Sequence, residues 1–265
     1  MTRWALGIEY NGARFCGWQS QVGVATVQEA VERALSQVAD EPIRVVAAGR
    51  TDAGVHAYGQ VVHFDTAQGR RPEAFTRGAN THLSSDVSIL WAHPVSEDFH
   101  ARFSAVGRTY RYVILNRRVR PGLWASRVSF DYRPLDVARM QEAAGALVGR
   151  YDFSSFRASQ CQAKSPVRTV RYLKVERHGA FIVLTVEADA FLHHMVRNIG
   201  GVLCTIGAGE QPVAWAKQVL EARDRALGGL TATPDGLYLY AVHYPDHYGL
   251  PSAHDPAASS GLVWL

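Results

Sequence analysis

Apolar residues recur along this chain in two periods, and the switches between them mark its elements. Trp4, Leu6, Ile8 and Tyr10 alternate along residues 4–10, the period of a strand with one buried face. Residues 11–19 are punctuated by Gly12 and Gly17 and read as a loop. Val27, Ala30, Val31, Ala34, Leu35 and Val38 then follow the helical period, opened by Thr26-x-x-Glu29 as a capping box. The continuous run Val45-Val46-Ala47-Ala48 predicts a buried strand that ends in a tight loop at Gly49. Residues 60–64 and 110–115 are further strands, the latter with aromatics on one face. A helix is expected over about residues 135–148, with Met140, Ala143, Ala144 and Leu147 inward. Residues 167–188 read as a hairpin turning at His178-Gly179. A helix over about 192–206, a helix begun by Pro212 and a strand over 237–242 complete the series.

Hairpins mixed with helical crossovers predict an α+β fold, not a doubly wound parallel one. Two similar subdomains are expected, each a mixed, mainly antiparallel sheet flanked by helices, with a cleft between them. The first spans residues 1–105, the second 106–246, and a tail follows over 247–265. That tail is rich in Pro, Ser, Ala and His, but Val263-Trp264-Leu265 is apolar enough to dock on a neighbour. A length of 265 residues, 47% hydrophobic and 20% charged, suits one large or two modest domains. Lys and Arg number 28 against 24 acids, a net +4 that permits a polyanionic partner. Arginine dominates the bases, and Arg70-Arg71 and Arg117-Arg118-Val119-Arg120 fit a phosphate-tracking surface or a solvated loop. Cys16, Cys161 and Cys204 are far apart and odd in number, which supports neither a disulfide framework nor a zinc knuckle and suggests a reducing compartment. The N-terminus does not read as a signal peptide, and no apolar run approaches the roughly 20 residues that span a bilayer. A soluble cytoplasmic protein is expected.

The densest candidate chemistry is Gly49-Arg50-Thr51-Asp52-Ala53-Gly54-Val55-His56-Ala57. An Asp in a glycine-containing loop is commonly a turn former, and Arg50 with Asp52 can be an ordinary ion pair. A carboxylate at the end of a core strand beside an arginine can equally be a catalytic group. A metal-dependent hydrolase built from His56, His63, His193, His194, Asp52 and Asp189 is disfavoured: adjacent histidines on a helix point about 100° apart, unlike an i, i+4 zinc pair. The glycines of residues 11–17 form neither a P-loop nor a dinucleotide fingerprint, so that loop is read as RNA contact or site wall. A non-catalytic RNA-binding protein is the main alternative, but it leaves a carboxylate amid basic residues unexplained.

Several segments then agree in order. They are Tyr10-x-Gly12-x-x-Phe15-x-Gly17-Trp18-Gln19, the Asp52 segment, Asp98-Phe99-His100-Ala101-Arg102-Phe103-Ser104-Ala105, Arg108-Thr109-Tyr110-Arg111-Tyr112, Phe191-Leu192-His193-His194-Met195-Val196-Arg197-Asn198-Ile199-Gly200 and Gly236-Leu237-Tyr238-Leu239. Together they resemble the tRNA pseudouridine synthase A family over about residues 3–245. The resemblance implies isomerisation of uridine to pseudouridine at tRNA positions 38, 39 and 40, in the anticodon stem-loop, with no cofactor and no metal. It implies Asp52 as the nucleophile, attacking either C1′ of the ribose or C6 of the base. It implies Arg197 as the basic partner of Asp52 and Tyr110 as an active-site aromatic that stacks on the uracil. Arg50 is implied in extruding the nucleotide and holding its backbone, Leu239 in the pocket's apolar wall, and His56, Arg102 and Phe103 in substrate binding. Family members are homodimers with one tRNA reaching across both subunits, and the same is expected here.

Overall fold

The first strand is buried on both faces. In the computed structural model, which describes residues 1–251, β1 (Thr2–Tyr10) runs between two antiparallel neighbours, β3 (His56–Thr66) and β4 (Val87–Val95). Trp4, Ala5, Leu6 and Ile8 are all buried, so the alternation expected from sequence gives way to a strand covered on both sides. Trp4 meets Phe75 edge-on, 5.0 Å between ring centroids, from a turn of π-helix over Ala74–Gly78. Ala5 belongs to a cluster with Phe99 and Ala101, against which Tyr244 and Tyr248 pack.

The chain divides into two units. The first is Met1–Gly107 together with the described chain from Tyr238 to Pro251. Its strands run in the order β4-β1-β3-β10, with α1 (Val27–Ala39) beside them. β10 (Leu237–His243), expected from sequence to close the second half, instead pairs in parallel with the start of β3, Tyr238 opposite His56 and Leu239 opposite Ala57. The long buried strand expected at residues 45–48 shrinks to β2 (Val46–Ala47), which pairs with β3 and leaves Val46 exposed. β4, a strand that the sequence analysis did not assign, carries Pro94 near its end, which an end strand of the order tolerates.

The second unit is Arg108–Leu237. Its strands run β5 (Gly107–Asn116), β9 (Phe181–Ala188), β8 (Val167–His178) and β7 (Gly149–Asp152), all antiparallel neighbours, with β6 (Ser129–Asp131) parallel to β5. The β8–β9 hairpin turns at Gly179, whose φ of +60° is one that glycine accepts without strain. α2 (Val137–Gly145) is capped by Asp136, whose carboxylate accepts from the amides of Ala138 and Arg139. It packs on β8 and on α3 (Met195–Gly207), and α4 (Trp215–Ala222) packs on both helices. The protein is thus a mixed α+β fold with mostly antiparallel strands. No helix among the described residues is long and apolar enough to cross a membrane. Val263-Trp264-Leu265 and most of the expected tail lie outside the described residues.

Candidate active site

Asp52 sits on a reverse turn between β2 and β3. The amide of Val55 donates to the Asp52 carbonyl at 3.1 Å, and Gly54 takes φ +78°, the third-position conformation for which turns of this kind use glycine. Asp52 is half-buried, Thr51 is buried, and Arg50 is exposed. The turn is held from behind by residues 11–18. The amide of Trp18 donates to the Thr51 carbonyl at 3.0 Å, and that of Gly54 to the Phe15 carbonyl at 3.4 Å. The Tyr10 hydroxyl meets Thr51 Oγ1 at 2.8 Å in the interior. The glycines of this loop are there for close approach. A Cβ on Gly17, which has φ +87°, would lie 2.6 Å from the Thr51 carbonyl oxygen, and one on Gly12 would collide with that of Val55. The loop read from sequence as RNA contact or site wall is, in its own unit, the backing of the Asp52 turn.

The same loop opens α1, and here the expected capping box fails. Thr26 is the N-cap residue but makes no side-chain cap bond, and its hydroxyl is buried without a partner. The first helical amides are taken by the loop instead: Val27 N–H donates to the Gly17 carbonyl at 3.2 Å, and Gln28 N–H to that of Trp18 at 3.0 Å. Backbone acceptors supplied by the incoming chain thus take the first two amides of the helix in place of the threonine oxygen.

His56 opens β3, with 1% of its surface exposed. Its Nδ1 accepts the Gly12 amide proton at 3.0 Å, and its ring stacks on Tyr238 with centroids 4.7 Å apart. Leu239, the next residue of β10, is fully buried. Arg102 and Phe103 project from a turn elsewhere in this unit. Phe103 is 75% exposed, the Arg102 guanidinium lies 5.5 Å from its ring centroid, and both amides donate to His100 Nδ1 at 3.2 Å. That turn is anchored by His63, whose Nδ1 accepts the Ala101 amide at 3.1 Å. Burial, with His100 and Arg3 adding to it, pushes the His63 imidazole down to about 4.

In the second unit, Tyr110 is half-buried on β5, its ring meeting Phe191 edge-on at 4.9 Å. Arg197 lies in the first turn of α3, and its Nε donates to the Ala232 carbonyl at 2.8 Å. Sequence reasoning gave no role to the residue beside it. Asn198 is fully buried; its Nδ2 donates to the Phe156 carbonyl, and its Oδ1 accepts from Arg225 at 3.0 Å and Thr231 at 2.7 Å. With Gly201, where a Cβ would strike the Leu230 carbonyl, this network straps residues 225–233 to the helix that carries Arg197. The signal available was an Asn at i+1 from Arg197, too common to single out. The helical argument for separating His193 and His194 does not hold. α3 begins only at Met195, His194 is its N-cap residue with φ +62°, and the two rings lie 4.0 Å apart.

Comparison with known proteins bears on the whole of this arrangement. The family described as tRNA pseudouridine synthase matches residues 7–104 and 143–245. The chain is similar to the tRNA pseudouridine synthase A of Nitrosococcus oceani, 61% identical over 99% of this chain and 100% of that protein. It is 58% identical to the protein of the same name from Pseudomonas aeruginosa, over 99% of this chain and 93% of the other. With that of Alcanivorax borkumensis the identity is 57%, covering 100% and 98%.

Proposed function

We propose, since this chain belongs to the tRNA pseudouridine synthase A family, that it isomerises uridine to pseudouridine at positions 38, 39 and 40 of the tRNA anticodon stem-loop, with Asp52 as nucleophile. The N1–C1′ bond of the uridine breaks, the base turns, a C5–C1′ bond forms and the C5 hydrogen leaves as a proton. Substrate and product are isomers, so the reaction calls for no oxidant, reductant or phosphoryl donor. Asp52 attacks either C1′ or C6 and is released at the end, as a carboxylate nucleophile can be.

The observation that supports this reading most directly is the Asp52 turn: a half-buried carboxylate on a turn fixed by backbone bonds at Val55, Gly54 and Trp18. Such rigidity suits a group that must meet one atom of a flipped base. In this reading Arg197 is the basic partner of Asp52. Tyr110 stacks on the uracil, an interaction worth about 1–3 kcal/mol per base. Leu239 forms apolar wall, exposed Arg50 holds the backbone of the extruded nucleotide, and Arg102 with Phe103 offers a cation and an aromatic face to RNA. His56, assigned to substrate binding by resemblance, has its Nδ1 committed to Gly12. The working form is a cytoplasmic homodimer with one tRNA across both subunits.

Tritium release from [5-³H]uridine-labelled tRNA, in EDTA, tests the chemistry. Wild-type release with none from Asp52→Asn is expected, because the amide is isosteric but not nucleophilic. Binding of tRNA without release by the wild type would favour a non-catalytic RNA-binding protein. Release abolished by EDTA would return the two histidines to consideration as metal ligands.

A further inference from the structure

We infer that His56 is a positioning residue for Asp52 and not a substrate ligand: its neutral Nδ1 holds the Gly12–Trp18 loop against the turn that carries the nucleophile. The inference rests on the reading of Asp52 as nucleophile. Its basis is a chain of contacts inside the first unit. His56 Nδ1 accepts the Gly12 amide at 3.0 Å in a site where the imidazole is 1% exposed. Gly12 is pressed so closely on Val55 that no side chain fits there, so the hydrogen bond sets the spacing between loop and turn. From Gly12 the loop runs to Phe15, whose carbonyl takes the Gly54 amide, and to Trp18, whose amide takes the Thr51 carbonyl. These bonds flank Asp52 on both sides. The loop leaves through Gly17 and Trp18, whose carbonyls bind the first amides of α1, so its far end is fixed to a helix. At its near end the His56 acceptor ties the loop to the start of β3, and stacking on Tyr238 sets the plane of that ring. An acceptor at Nδ1 places the ring proton on Nε2 in the neutral tautomer; protonation of Nδ1 would abolish the bond to Gly12.

The role is separable from stability because the ring and the acceptor can be removed independently. His56→Phe keeps an aromatic against Tyr238 and loses the acceptor. His56→Asn loses the ring and keeps an acceptor, Oδ1, near the place of Nδ1. Single-turnover tritium release at saturating tRNA, tRNA Kd and thermal midpoints are measured for wild type and both variants. We expect His56→Phe to lower the rate on the order of tenfold to a hundredfold, the scale of a small misplacement of a reacting group. Its tRNA Kd is expected to stay unchanged. His56→Asn is expected to recover most of the rate even where its midpoint is the lower of the two, with a pH–rate profile of wild-type shape. A wild-type rate in His56→Phe, a rate in His56→Asn that falls with its midpoint, or a loss confined to Kd would each overturn the inference. So would a missing limb in the His56→Asn pH profile, which would make His56 a proton-transfer group. If His56→Phe does not fold, the His56→Asn rate decides alone. A wild type that releases no tritium overturns the underlying reading, and is distinguished by being independent of residue 56.

Discussion

Arg197 and His63 show how a single side chain can be judged by what already occupies it. The Arg197 Nε donates to the Ala232 carbonyl, which fixes the plane of the guanidinium. Arg197→Lys keeps a charge but cannot both hold Ala232 and present a fork. We expect it to lower kcat at least tenfold, about 1.4 kcal/mol, while tRNA Kd changes little; a loss confined to Kd would mark Arg197 as a tRNA-binding residue alone. His63 is held neutral in the fold, its pKa about 4 against an ordinary 6.5. The unfolded chain therefore takes up the proton first as pH drops. The stabilisation is fully present above about pH 6.5 and is lost as pH falls toward about 4, at up to about 1.4 kcal/mol per pH unit. Urea midpoints across that window should fall in the wild type. They should fall less steeply in His63→Asn, which can still accept the Ala101 amide. Of the residues singled out from sequence, Asp52 stood out as a carboxylate in a glycine-bracketed loop beside an arginine, whereas Tyr110 and Arg197 were picked out only by resemblance to the family. The supports were not legible: nothing local says that His56 will meet Gly12, 44 residues away, or that Asn198 will gather Phe156, Arg225 and Thr231.

The N-terminus of α1 is the element whose chemistry departs furthest from its sequence pattern. Thr26-x-x-Glu29 has the form of a capping box, and an N-cap threonine is commonly worth about 1 kcal/mol. Here the carbonyls of Gly17 and Trp18 take the first amides, and the Thr26 hydroxyl is buried without a partner. Thr26→Val, which replaces that hydroxyl with a methyl of similar size, should cost well under 1 kcal/mol or stabilise. A loss above that in equilibrium unfolding would mean that the hydroxyl does cap the helix. Helix existence and location were readable for α1, α2 and α3, because an amphipathic period is a local property. Their ends were not. Asp136 stops α2 short of the expected residue 135 start, and the left-handed His194 delays α3 to Met195. Strand environment was the weakest reading. β1 looked half-buried and is covered on both faces, while the run at residues 45–48 is core at Val45 and Ala48 but pairs as a strand only over two residues and leaves Val46 exposed. Coverage depends on which strands and loops arrive from elsewhere.

At the scale of the molecule, a net charge of +4 is too small to specify an RNA surface, so placement matters more than number. Arg117 turns its guanidinium onto the Val119 and Arg120 carbonyls of its own loop, at 2.9 and 3.3 Å, while Arg118 and Arg120 remain exposed. If this loop touches phosphates, Arg118→Ala with Arg120→Ala should weaken tRNA binding and lower the magnitude of the salt slope by about 1 per lost contact. An unchanged slope would remove the loop from the interface. The sequence by itself determined the mixed α+β class, most of the helices and the β8–β9 hairpin, since periodicity and turn residues are written locally. Tertiary structure alone decided that β10 returns to lie parallel to β3. It also decided that a glycine loop displaces a threonine cap, and that His56 is turned toward the backbone behind Asp52. Those outcomes depend on groups far apart in the chain competing for the same buried donors and faces, and that competition is resolved only when the segments meet.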